Sequence, residues 1–127
     1  GAILLVDDER MLRNMAAAIL ESMGFYALTA QDGVEALEIF RERGSEINMI
    51  LLDLIMPQMG GIETYHELRK IAATIPIIIC SGYSVDEVSD VIAHDEYAGF
   101  VQKPYKPEQL RAAMVRMMGQ KTMSEAL

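Results

Sequence analysis

Ala2-Ile3-Leu4-Leu5-Val6-Asp7-Asp8-Glu9 is the stretch on which the reading of the fold turns. An unbroken apolar run gives way without transition to three acids. A strand with one wet face alternates apolar and polar residues. A run without alternation has both faces covered, as in a parallel sheet between layers of helices. Ile47 to Leu52 repeats the pattern, a near-continuous apolar strand that stops at Asp53. Ile77-Ile78-Ile79-Cys80 repeats it again and stops at Ser81, with Pro76 at its start, where a missing N–H is tolerated.

Between these runs the period changes from strand to helix. Leu12, Met15, Ala16, Ile19, Leu20 and Met23 predict one amphipathic helix, and Gly24 stands where a terminating glycine belongs. Residues 25–30 read as a weaker strand suited to a sheet edge. Asp32 followed by Glu35 has the spacing of a capping box and opens a helix to about Gly44. Pro57 and Gly60-Gly61 make a loop, and Ile62, Tyr65, Leu68, Ile71 and Ala72 predict a third helix. Val85, Val88, Val91 and Ile92 suggest a fourth. Gly99-Phe100-Val101 is a short last strand, and Pro107 suits the first turn of a helix with Leu110, Met114, Met117 and Met118 on its apolar face. This order, (βα)₅, predicts a doubly wound α/β domain with a parallel sheet and right-handed crossovers, over residues 1–118. Residues 119–127 have little pattern and read as a tail or linker.

The 127 residues suffice for one domain, and 51% hydrophobic against 24% charged residues is a globular balance. No run is long enough for a membrane span and no signal-peptide pattern is present, so a cytoplasmic protein without membrane insertion is expected. The chain opens on Gly1 rather than Met, as a trimmed chain or a piece of a longer one does. Lone Cys80 fits a reducing compartment and reads as a small buried hydrophobe. A net charge of −8 with no Lys/Arg cluster argues against direct nucleic-acid binding. His66 and His94 lack metal-ligand spacing and read as surface residues.

In such a sheet, ligands gather beyond the carboxyl ends of the strands. The first strand ends in Asp7-Asp8-Glu9, the third in Asp53, the fourth in Ser81 and the fifth in Lys103-Pro104. Each group has an ordinary explanation when taken alone. The first acids suit a helix start, Asp53 and Ser81 suit turns, Lys103 suits a solvated surface, and Phe100 suits a core. Their convergence on one edge is what those explanations leave out. Clustered carboxylates repel unless a cation neutralises them, and a hard divalent ion such as Mg²⁺ needs one or two of them plus waters. Asp53 can then serve as a nucleophile in phosphoryl transfer, with Lys103 as a point charge and Ser81 as a small donor.

The segments Leu5-Val6-Asp7-Asp8-Glu9, Leu51-Leu52-Asp53-Leu54-Ile55-Met56-Pro57-Gln58-Met59-Gly60-Gly61, Ser81-Gly82-Tyr83 and Phe100-Val101-Gln102-Lys103-Pro104-Tyr105 together resemble the response-regulator receiver family of two-component signalling. The resemblance runs from about Ala2 to Met118. It implies a flavodoxin-like strand order, 2-1-3-4-5, and a phosphoacceptor role for Asp53. It also implies Mg²⁺, with Mn²⁺ as a substitute, bound directly by Asp8 and Asp53, through water by Asp7, and by the carbonyl of Ile55. Ser81 matches the hydroxyl that turns toward the phosphoryl group. Lys103 matches the phosphate-binding lysine, before a cis bond to Pro104, and Phe100 the rotating aromatic. Hydroxyl and ring would together move the face made by the fourth helix, fifth strand and fifth helix, which is also the candidate homodimer surface.

The implied donor is a phosphohistidine on a sensor histidine kinase or a histidine phosphotransfer protein. The domain would catalyse only its own phosphorylation and slow autodephosphorylation, and is not expected to be a conventional enzyme. Ile55 and Tyr83, at two variable positions of the family, cannot orient an attacking water, hence the slow loss. The sequence around Cys80–Ser84 and Phe100–Tyr105 is more similar to receivers fused to hybrid sensor kinases than to those of DNA-binding regulators. Two alternatives stand beside this reading. A pseudo-receiver would keep the fold as an interaction module only. An aspartyl-nucleophile phosphatase would need a second acid two residues after Asp53, where Ile55 stands.

Overall fold

The computed structural model describes the chain apart from residues 55, 57–58, 83–84 and 127 and the side chains of residues 85, 87 and 119–126. Strands β1 (Ala2–Val6), β2 (Tyr26–Ala30), β3 (Ile47–Asp53), β4 (Ile77–Ser81) and β5 (Ala98–Gln102) alternate with helices α1 (Arg10–Ser22), α2 (Gly33–Arg43), α3 (Gly61–Ile71), α4 (Val85–Ile92) and α5 (Pro107–Ala126). The strands form one parallel sheet in the order β2-β1-β3-β4-β5. The weak second strand lies at an edge, as its composition suggested.

The unbroken apolar strands divide their side chains between two cores. Leu4, Val6, Ile50, Leu52, Ile77 and Ile79 face one side, where Ala36 and Leu37 of α2, Tyr65 and Leu68 of α3 and Val88 of α4 cover them. Ile3, Leu5, Met49, Leu51, Ile78 and Cys80 face the other, under Ala16 and Leu20 of α1 and Leu110, Ala113, Met114 and Met117 of α5. Neighbouring residues of a strand point to opposite faces, so lack of alternation in sequence becomes burial on both sides. Asn48 interrupts the apolar run of β3 and is exposed, where the β1–β3 register shifts between Ala2 and Ile3. Burying Ile77, Ile78 and Ile79 completely stabilises the fold by about 2 kcal/mol per side chain.

The helix ends follow local chemistry. Gly24 adopts φ +92°, Phe25 N–H donates to Leu20 O and Gly24 N–H to Glu21 O, a Schellman ending at the predicted glycine. Asp32 accepts the Glu35 N–H at 2.8 Å, while the Glu35 carboxylate reaches back to the Gln31 N–H at 3.3 Å rather than to Asp32 itself. Three expectations about helix faces need correction. Met15 of α1 and Ile62 and Ile71 of α3 carry the right spacing for a core face but are exposed, because they stand at the margins of the buried stripes that run through Ala16 and Leu20 and through Tyr65 and Leu68. Helix α5 also continues to Ala126, past Met118 where its apolar pattern ends.

A polar cluster ties α3 to the segment between α4 and β5. Arg69 pairs with Asp95 at 2.8 Å and donates to the carbonyls of Ala72, Ile75 and Tyr97. Tyr65 donates its hydroxyl to the same Asp95. Burial alone would raise the Asp95 carboxyl, but donors from Arg69, Tyr65 and the Tyr97 N–H outweigh it and hold it below the usual carboxylate range. Burial together with the neighbouring carboxylate pushes the Tyr65 hydroxyl up to about 12.

Candidate functional site

Parallel strands all end on the same edge, so the residues just beyond them meet there. Asp7 follows β1, and its N–H continues the ladder to Ala30 O at 3.1 Å. Its carboxylate accepts the Glu9 N–H at 2.9 Å, and its carbonyl accepts from Arg13 at 2.8 Å. Asp53 is the last residue of β3, opposite Cys80, and Ser81 is the last of β4, opposite Gln102. Asp7, Asp53 and Ser81 are buried, whereas Asp8 is exposed.

Lys103 comes to this edge from the end of β5. Its N–H donates to Ser81 O at 2.7 Å, and its bond to Pro104 is cis. Its ammonium donates to the Asp7 carboxylate at 2.8 Å and forms an ion pair with Asp53 at 3.4 Å. Burial alone would lower the lysine pKa, but the hydrogen bond to Asp7 and the charges of Asp53 and Asp7 outweigh it and raise it above its ordinary value. The ammonium is therefore firmly charged at neutral pH.

One carboxylate oxygen each from Asp7, Asp8 and Asp53 lies within 4.8 Å of the others. One ammonium leaves three carboxylates partly uncompensated, and the donors are all hard oxygens. The cluster fits a divalent cation of the Mg²⁺ kind. Ile55, the expected carbonyl ligand, and Tyr83 lie outside the described residues. Phe100 is half-buried on β5, opposite Ile79, and packs against the core under α2, α3 and α4. Cys80 adjoins the cluster in sequence but is no nucleophile, since burial pushes its thiol up to about 12. His66 and His94 are exposed, as expected.

Sequence reasoning missed the flank of the site. Glu9, Leu12, Met15, Lys103, Pro104 and Tyr105 line a largely apolar cavity of about 330 Å³ between α1 and the segment joining β5 to α5. Met11 and Met15, one turn apart on α1, are 81% and 56% exposed. The signal in the sequence was Met15 itself, whose apolar spacing pointed to burial in the core.

The model for the response regulator receiver domain matches residues 3–115, and the chain belongs to that family. Its fold is that of a receiver domain of two-component systems. It is 37% identical over 118 residues to the sensor kinase CckA of Brucella abortus, covering 93% of this chain and 12% of that one. Over 104 residues it is 32% identical to the chemotaxis protein CheY of Halobacterium salinarum, covering 82% of this chain and 85% of that protein. A receiver domain protein of Clostridium thermocellum superposes with a TM-score of 0.87 at 27% identity, over 97% of this chain and 98% of that one. The chain spans less than half the length of several of its curated relatives. Among the described residues, no helix is long and apolar enough to cross a membrane.

Proposed function

We propose that the chain is a phosphoacceptor switch, with Asp53 receiving a phosphoryl group from a phosphohistidine of a sensor histidine kinase or phosphotransfer protein. The observation that carries this is the Lys103 ammonium, held by Asp7 and directed at Asp53 beside the buried Ser81. An Asp53 carboxylate oxygen forms the new O–P bond as the donor's P–N bond breaks, and the imidazole leaves with the electron pair and takes a proton from water. Asp7, Asp8 and Asp53 would hold Mg²⁺ or Mn²⁺, which supplies charge neutralisation at the phosphoryl oxygens when bound. Lys103 stands close enough to pass from the Asp53 carboxylate to a phosphoryl oxygen on it, and Ser81 offers a hydroxyl from the neighbouring strand end.

The apolar cavity beside Lys103 supports a protein donor, since it offers a helix that presents histidine to Asp53 an apolar surface on α1 and the Pro104–Tyr105 segment. The likeness to a sensor kinase supports a place in a hybrid kinase. Half-buried Phe100 supports coupling of the site to the face formed by α4, β5 and α5, where homodimerisation is also expected. The domain acts on itself and is not a conventional enzyme. Intact-mass spectrometry after incubation with acetyl phosphate and Mg²⁺ tests the core of this reading. One phosphoryl addition is expected, dependent on Mg²⁺ and absent in Asp53→Asn; its absence from folded wild type, with a phosphohistidine donor as well, would refute it.

A further inference from the structure

Among the described residues, four polar side chains are buried: Asp7, Asp53, Ser81 and Thr64. The first three form the site. Thr64 lies on α3, fully enclosed, and its surroundings lead back to the same place. Its hydroxyl donates to Gly60 O at 2.9 Å and stands 3.4 Å from Met59 O. Those carbonyls end the loop that leaves Asp53. The loop closes where Gly61 N–H donates to Leu54 O at 2.9 Å. Gly61 lies so close that a Cβ there would stand 2.4 Å from Asp53 O. Behind Thr64 is the first turn of α2, where a Cβ on Gly33 would come within 2.0 Å of the Thr64 oxygen and 2.9 Å of Met59 O. Met59 has φ 53°, a left-handed conformation that a bulky L-residue keeps only when its surroundings hold it.

We propose that Thr64 is a positioning residue for cation binding at Asp53, holding, through the carbonyls of Met59 and Gly60, the start of α3 where Gly61 closes on Leu54 and Asp53. Helix α2 contributes a glycine because only a residue without a side chain leaves room for this oxygen. With the hydroxyl gone, Gly60 O keeps the Thr64 N–H at 2.9 Å but loses its side-chain donor, and among the described residues no other donor meets Met59 O. The contact of Gly61 with Leu54 and Asp53 then loosens, and the Asp53 carboxylate is no longer pre-oriented for a cation. The proposal rests on the phosphoacceptor reading above.

The test compares Thr64→Val, which keeps the shape, with Thr64→Ser, which keeps the hydroxyl. Mg²⁺ affinity is measured by calorimetry without phosphodonor, and acetyl phosphate phosphorylation is measured across Mg²⁺ concentrations. Loss of one buried hydrogen bond should weaken Mg²⁺ binding about five- to tenfold in Thr64→Val. Thr64→Ser should stay within about twofold of wild type, and the maximal rate at saturating Mg²⁺ should barely change in either variant. A Thr64→Val protein that melts earlier yet binds Mg²⁺ like wild type overturns the proposal and leaves Thr64 a packing residue. If Thr64→Val does not fold, Thr64→Ala against Thr64→Ser isolates the same oxygen, and equal Mg²⁺ affinities overturn the proposal. Wild type that neither binds Mg²⁺ nor gains phosphoryl refutes the phosphoacceptor reading itself, and the role of Thr64 falls with it.

Discussion

Replacing Lys103 by Met keeps an unbranched chain of similar length and removes the charge that Asp7 and Asp53 share. The lysine side chain is 15% exposed and each carboxylate side chain 7%, so solvent replaces little of the lost neutralisation. Breaking such a pair strands a buried charge, at a typical cost of about 3–5 kcal/mol. Residual access to water at Lys103 places the expectation near the lower end, about 3 kcal/mol. With a urea dependence of about 2 kcal/mol per molar, the midpoint in EDTA should fall by about 1.5 M. The protein has no Trp, so far-ultraviolet circular dichroism is the natural readout.

Mg²⁺ should then behave differently in the two proteins. In wild type it competes with the ammonium for Asp7 and Asp53; in Lys103→Met it meets carboxylates that have lost that ammonium. If its affinity for the variant is about tenfold higher, saturation returns about 1.4 kcal/mol more to the variant than to wild type. The stability gap should therefore halve in Mg²⁺, while phosphorylation by acetyl phosphate falls sharply. Equal stability in EDTA, or a gap that Mg²⁺ leaves untouched, would show that Lys103 does not compensate these two carboxylates.

Asp95→Asn should destabilise the domain by about 2–4 kcal/mol at neutral pH by loosening the Arg69 and Tyr65 clamp. The folded Asp95 pKa is depressed, so its contribution is full above the ordinary carboxylate pKa and is lost as pH falls through the folded one. The gap between urea titrations of the two proteins should thus begin to close only below about pH 4, the ordinary carboxylate range, and a gap that stays constant as pH falls further would refute the linkage. Gly61→Ala places a Cβ 2.3 Å from Leu54 Cα and should cost about 1–3 kcal/mol, read as a lowered melting temperature; an unchanged one would mean the turn yields freely. Met11→Glu with Met15→Glu should slow transfer from a phosphohistidine donor about tenfold and leave acetyl phosphate labelling unchanged, because the change touches docking and not chemistry. Equal slowing with both donors would place the defect in the site. The phosphorylated domain, with Ile55 and Tyr83 unable to orient water, should lose its phosphoryl group slowly, and decay as fast when either is replaced by Glu would contradict that explanation.

The sequence by itself determined the layers. Unbroken apolar runs at Ala2–Val6 and Ile77–Cys80 demanded a sheet covered on both faces, and the period between them demanded helices. Because every parallel strand ends on the same edge, Asp7, Asp8, Asp53, Ser81 and Lys103 could be assigned to one place before any coordinate was known. Tertiary structure decided what pairs with what. The bond from Lys103 to Asp7 joins residues 96 apart, and no local pattern marks Asp7 rather than Asp8 as the acid that receives the ammonium. Periodicity also counted Met15 and Ile62 toward the core, because it records which face a residue is on but not which neighbours cover each part of that face. Thr64 and Gly33 looked unremarkable for the same reason. Each is an ordinary helical residue in sequence; the carbonyls that Thr64 meets lie only four and five residues back, and it is the packing of Gly33 on α2 against them that leaves the hydroxyl with no exposure.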